Sequence, residues 1–158
     1  MNNFNHLNES GEAHMVDISD KDITIRTAVA QSIIECSQSV ITQLQDQTNP
    51  KGDVFATARI AGIQAAKKCA DLIPLCHPLP LNKVTINIQI SDLSVIIVAT
   101  CKTQGKTGIE MEALTAAAIA ALTFYDMCKA IDKSMIIRDT RLLKKTGGKS
   151  DDFSIGVS

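Results

Sequence analysis

Residues 84–102, VTINIQISDLSVIIVATCK, alternate between apolar and polar positions on both sides of a short polar break at residues 91–94. Two such runs joined by so short a turn predict a β-hairpin, because a period of two lets each strand present one face to a core. Toward the N-terminus, residues 22–36 (DITIRTAVAQSIIEC) alternate as well. Ile23, Ile25, Thr27, Val29 and Ile33 fall on one side and Arg26, Ala28 and Ser32 on the other, which predicts a long strand. Between that strand and the hairpin, Val40, Ile41 and Leu44 recur at helical spacing in residues 37–45. Residues 46–53 (DQTNPKGD) form a loop by their Asn-Pro and Lys-Gly content. Residues 54–72 predict a helix with Val54, Ala58, Ala61, Ala65 and Cys69 on one stripe, with Asp53 placed to cap it and Pro74 limiting its extent.

After the hairpin, residues 109–131 (IEMEALTAAAIAALTFYDMCKAI) combine strong helix formers with a nearly continuous apolar face, so this helix must be buried on more than one side. Residues 135–145 (MIIRDTRLLKK) predict a last strand. The order strand, helices, hairpin, helix, strand is that of an α+β ferredoxin-like sandwich, an antiparallel four-stranded sheet with helices packed on one face. No repeat or linker divides the chain. Residues 1–13 are expected to be a flexible arm, and residues 14–158 one domain with a flexible, basic, Gly-rich C-terminal segment from about residue 146.

The chain has 158 residues, 45% hydrophobic but only 3% aromatic, so its core must be built from small aliphatic side chains. Sixteen basic against seventeen acidic residues leave a net charge of -1, which argues against coating nucleic acid by charge; any anion site must be a local cluster. The five cysteines are odd in number and contain no Cys-x-x-Cys pair, consistent with reduced thiols and a cytoplasmic location. No cationic start leads into an apolar run and no eighteen apolar residues are uninterrupted, so neither secretion nor membrane spanning is expected.

Three stretches stand out chemically. Lys51-Gly52-Asp53 precedes a helix start, where free amides and the helix dipole favour an anion, although a solvated lysine beside an ordinary cap has the same pattern. Leu75-Cys76-His77-Pro78 is a rigid apolar loop carrying an imidazole; it fits a pocket wall and a backbone-satisfied core histidine equally. No further Cys/His pair has zinc-type spacing, so no metal is expected there. The third stretch, residues 106–112, leads into the long helix, near whose far end Asp126 and Lys129 share a face. Such a pair is usually a weak surface salt bridge, but the apolar residues around it, among them Phe124 and Ile131, predict shelter.

The runs GEAHMVDIS (11–19), residues 51–81, KTGIEMEALTAAAIAALTFYDMCKA (106–130) and RLLKKTGGKSDDF (141–153) resemble the cyclic pyranopterin monophosphate synthases, the family of molybdenum cofactor biosynthesis protein C. The resemblance implies an enzyme that rearranges 3',8-cyclo-7,8-dihydro-GTP to a cyclic phosphate pterin with release of diphosphate. It also implies a homo-hexamer built as a trimer of dimers, which receives its substrate from a radical enzyme. Carried over by position, it makes Asp126 the active-site acid and Lys51 and Lys129 the essential lysines. Substrate contacts fall on Leu75, Cys76, His77, Met111 and Glu112, with Arg26 and Lys145 as further polar positions of the pocket. No cofactor is implied. Asn49-Pro50 and Asp151-Asp152 have no counterpart in the family's pattern.

Moving protons among nitrogen, carbon and oxygen requires general acids and bases, and a buried lysine near other cations has a lowered pKa that suits it to both roles. Lys51 and Lys129 are expected in that role, oriented by Asp126, with His77 and Glu112 on the base and ribose and with Lys145, Lys149 and Arg26 on the phosphates. The rival reading is a non-catalytic nucleotide- or pterin-binding module of the same fold, which needs no Lys51–Asp126–Lys129 set. A nucleic-acid binder would place stacking aromatics on its sheet, and the hairpin strands have none.

Overall fold

The computed structural model describes residues 6–155. Its elements are β1 (Thr24–Glu35), α1 (Gln38–Asp46), α2 (Val54–Lys67), α3 (Cys69–Leu72), β2 (Leu81–Ser91), β3 (Ser94–Gly105), α4 (Glu110–Cys128), β4 (Ile136–Thr146) and β5 (Phe153–Ser154). All strand pairs are antiparallel in the order β2-β3-β1-β4-β5. The first four strands and their two helical crossovers make the ferredoxin-like sandwich, with α2 on β2 and α4 lying over β1, β3 and β4.

Among the described residues the sheet has five strands where the sequence predicts four. The extra one lies in the segment expected to be a loose basic tail. Gly147 and Gly148 both take positive φ (94° and 90°) and reverse the chain. The Gly147 amide donates to Asp152 Oδ1 at 3.1 Å, and Phe153–Ser154 then pair with Lys144 and Lys145. At the other end, residues 1–5 of the expected arm and residues 156–158 of the tail lie outside the described residues. Leu7 bridges Ala13, and Asn8 Oδ1 accepts from the Ser10 and Glu12 amides inside that small turn.

On β1 the enclosed row is Ala28, Ala30, Ser32 and Ile34; the bulkier row of Val29 and Ile33 is half-buried on the opposite face, and Ile25 is exposed. The reason lies in α4, whose buried stripe is Ala113, Ala116, Ala117, Ala120 and Ala121. Alanine against alanine brings helix and sheet into close contact, which isoleucines on the helix side would prevent. α4 is long and apolar enough to cross a bilayer, yet half of it is buried inside this fold, as befits a core helix. Phe124, stacked at 6.5 Å on Phe55 of α2, is the largest fully buried side chain of its inner face.

Asp53 caps α2 as expected, its Oδ1 accepting from the Ala56 amide. The helix stops at Lys67, short of the predicted Leu72, because Lys68 leaves helical geometry (φ -110°, ψ 14°) and a separate turn, α3, begins. That turn seats the Cys69 thiol 3.6 Å from the Thr115 hydroxyl of α4.

α2 and α4 come into close contact at Gly62. A Cβ there would lie 2.9 Å from the Ala116 carbonyl oxygen and 3.1 Å from the Ala120 methyl. Alanine raises helix propensity by about 1 kcal/mol, but overpacking against backbone costs about 1–3 kcal/mol. Gly62→Ala is therefore expected to lower the denaturation midpoint with an unchanged m-value; a more stable variant would show that the two helices are not in this contact.

Candidate active site

A cavity of about 530 Å³ opens beside the N-terminal end of α4, within the range of sites that hold small molecules. Its walls are the extended segment before β1, the loop after α3, the turn entering α4, and the end of β4 with the glycine turn. All seven expected substrate positions, Arg26, Leu75, Cys76, His77, Met111, Glu112 and Lys145, line it. They come from four separate parts of the chain.

Glu112 is the buried ionisable group of this cavity, with 4% of its surface exposed. Loss of hydration pushes its carboxyl above the ordinary range, and the nearby charge of Glu110 adds to the shift. Cys76 is likewise pushed up, first by burial and then by Glu112. Cys69 and Cys101 behind it are raised to about 11 and about 12 by burial. All five cysteines are free thiols, and these three are poor nucleophiles in such surroundings. His77 reconciles its two readings: it lines the cavity, and its Nε2–H donates to the Val16 carbonyl at 2.7 Å. That bond, with Lys106 Nζ donating to the Ser19 carbonyl at 2.6 Å, holds the segment before β1 as one wall.

The cations are held by shape and charge. Arg26 Nε donates to the Gly105 carbonyl at 3.0 Å, and its guanidinium packs so closely on Gly148 that a Cβ there would lie 2.2 Å from Nη1. Lys145 Nζ meets Glu110 Oε1 at 2.8 Å in a pair only about a quarter exposed. Glu110 was not foreseen, since an acid in the first turn of a helix reads as a partner of its dipole. Gly108 makes room for it, because a Cβ there would sit 1.9 Å from its carboxylate.

Lys51, Asp126 and Lys129 form a second cluster at the other end of α4 and do not line the cavity. Lys129 Nζ lies 2.6 Å from Asp126 Oδ1; Lys51 Nζ lies 3.6 Å from Oδ2 and donates to the Asp126 carbonyl at 2.7 Å. The expected shelter is absent within one chain, where Lys51, Asp126 and Lys129 side chains are 40%, 58% and 51% exposed. The predicted depression of the lysine pKa is reversed for Lys129, which is raised by its hydrogen bond to Asp126 and by that residue's charge. Asp126 is correspondingly lowered, by Lys129 first and Lys51 second. Helix geometry explains the separation: at about 1.5 Å per residue, Glu112 and Asp126 are about 21 Å apart along α4.

The model of the MoaC family matches residues 15–148, a span that includes the seven expected substrate positions of the cavity and Lys51, Asp126 and Lys129.

Glu112 protonates more readily in the folded than in the unfolded chain. It therefore costs stability as pH rises through and above the ordinary carboxyl range, about 4.3 when unfolded. Glu112→Gln is expected to raise the thermal midpoint near pH 7.5, with the gain vanishing at about pH 4 and below, where the carboxyl is protonated in both states. Unfolding scans across that range check it, and a gain independent of pH would refute the assignment.

Proposed function

The chain belongs to the MoaC family, and on that premise we propose that it catalyses the conversion of (8S)-3',8-cyclo-7,8-dihydroguanosine 5'-triphosphate to cyclic pyranopterin monophosphate with release of diphosphate. The family places the chain in molybdenum cofactor biosynthesis. In this reading it is a lyase, cytoplasmic, a hexamer of three dimers, and takes its substrate from the radical enzyme that cyclises GTP.

The observation that carries the reading is the chemistry of the cavity. Arg26 and Lys145 flank the Gly147–Gly148 turn, and Lys149 follows it on the same wall. They provide positioned charge for a triphosphate and for the diphosphate that leaves when the cyclic phosphate closes. Glu112 and His77 supply polar contacts for the base and ribose, framed by Leu75, Cys76 and Met111. Glu112, its carboxyl raised by burial, enters more readily as a hydrogen-bond donor than an ordinary glutamate.

Proton transfer is assigned to Lys51 and Lys129. Asp126, held in its carboxylate form, serves as the orienting anion, and Lys129, held charged by it, begins as the acid. One nucleotide cannot bridge about 21 Å between the two ends of a single α4. The complete site therefore joins the cavity of one chain to the Lys51–Asp126–Lys129 cluster of another, as an antiparallel helix pair across a two-fold axis permits.

Supplying the cyclised triphosphate to the purified protein should yield the pterin, read as its oxidised fluorescent derivative; binding without turnover would assign the non-catalytic module instead. Lys51→Ala and Lys129→Ala should each lower kcat/KM about 100-fold or more, the scale of general acid–base loss, and near-normal turnover would remove that residue from the mechanism. Mixing Glu112→Ala with Lys129→Ala subunits should restore activity, because some mixed dimers contain one intact site. Verified mixed oligomers that stay inactive would place the whole site within one chain.

A further inference from the structure

The turn that presents Lys51 is organised by a side chain with no part in the proposed chemistry. In the run Asn49-Pro50-Lys51-Gly52, the Gly52 amide donates to the Asn49 carbonyl at 3.0 Å, closing a four-residue turn with Pro50 and Lys51 at its centre. Pro50 restricts its own φ, and Gly52 takes φ 92° as the chain leaves for α2. Asn49 Oδ1 accepts from the Lys51 amide at 2.9 Å, fixing the lysine backbone from inside the turn.

The other half of the same amide reaches across the molecule. Asn49 Nδ2 donates to the Met127 carbonyl at 3.2 Å, at the end of α4 between Asp126 and Lys129. Both polar atoms of one side chain are thus committed, one to the turn and one to the helix that carries the other two members of the cluster. Without this tie the turn keeps only its flanking helices and the Lys51 side chain's own bonds to Asp126, and a long lysine side chain on a loose turn has many conformers to lose in making those bonds.

We infer that Asn49 is a positioning residue: it locks the Lys51 turn onto the end of α4 and sets the distance between the Lys51 ammonium and the Asp126–Lys129 pair. The inference rests on the proposed role of Lys51 for its effect on turnover, but its geometry can be measured without the reaction. Asn49→Asp keeps an acceptor for the Lys51 amide and replaces the donor toward Met127 with an oxygen, so it releases the clamp and spares the turn; Asn49→Ala removes both.

Both variants should lower kcat about tenfold, the scale of one lost hydrogen bond, with KM changed less than about twofold and the unfolding midpoint close to wild type. In a Lys51→Ala background, Asn49→Ala should add no further loss, because it acts through Lys51. The Lys51 side-chain NMR signal, assigned by its absence from Lys51→Ala, should be dispersed in the wild type and move toward the free-lysine position in both variants. An unchanged Lys51 signal, or a full additive loss in the Lys51→Ala background, would overturn the inference. Normal turnover by Lys51→Ala itself would remove Lys51 from the mechanism, and the NMR signal would still decide whether Asn49 positions the lysine.

Discussion

Everything in this molecule depends on how closely α4 lies against its neighbours. Its five buried alanines face the alanine row of β1 on one side and Gly62 of α2 on another, where a single added methyl would strike backbone. Each alanine buries little area, so the contact gains its strength from density and from the number of atoms in van der Waals range. It also leaves α4 little freedom to slide or roll. Because Met111 and Glu112 sit at one end of this helix and Asp126 and Lys129 at or just past the other, one packing arrangement fixes both candidate half-sites.

Local pattern made most of the fold legible. The hairpin follows from two alternating runs around the turn at Asp92, and the long helix from its composition. The features that escaped are those set by partners distant in sequence. Alternation predicts that β1 is a strand but does not say which row faces the helices; hydrophobicity favours the isoleucine and valine row, and the helix selects the small row. The end of α2 at Lys68 follows no local breaker, and α3 takes its place against Thr115. β5 exists because a Gly-Gly reversal and Asp152 return two residues to β4, too short a run to announce itself as a strand.

The candidate site divides in the same way. The positions of Leu75, Cys76 and His77 were marked by a proline-rich loop with an unexpected imidazole, and their convergence with Arg26, Met111, Glu112 and Lys145 rested on family resemblance until the cavity brought them together. The roles of Glu110 and Asn49 carried no readable signal, since one reads as an ordinary first-turn acid and the other as part of an Asn-Pro loop. Their significance lies in bonds to Lys145 and Met127, which are 35 and 78 residues away along the chain. Asn49-Pro50, which looked like a departure from the family's pattern, forms the first half of the turn that carries Lys51.

The two ends of α4 tune their acids in opposite directions, and the difference is one of solvent. Glu112 loses water and gains no cation of its own, so its charged form is disfavoured. Asp126 keeps water and gains two lysines, so its charged form is favoured. An exposed trio of charges is screened by salt and worth little to stability in a single chain. Its residues are arranged by Asn49 and α4 all the same, and an arrangement that stability does not require is one that a second surface can use. A neighbour that covered the cluster would strip its hydration, strengthen each charge interaction and lower the cost of taking a proton from lysine in the presence of other cations. In the proposed shared site the covering surface is the cavity of another subunit, and the change from a solvated salt bridge to a proton-transfer pair is then a consequence of assembly.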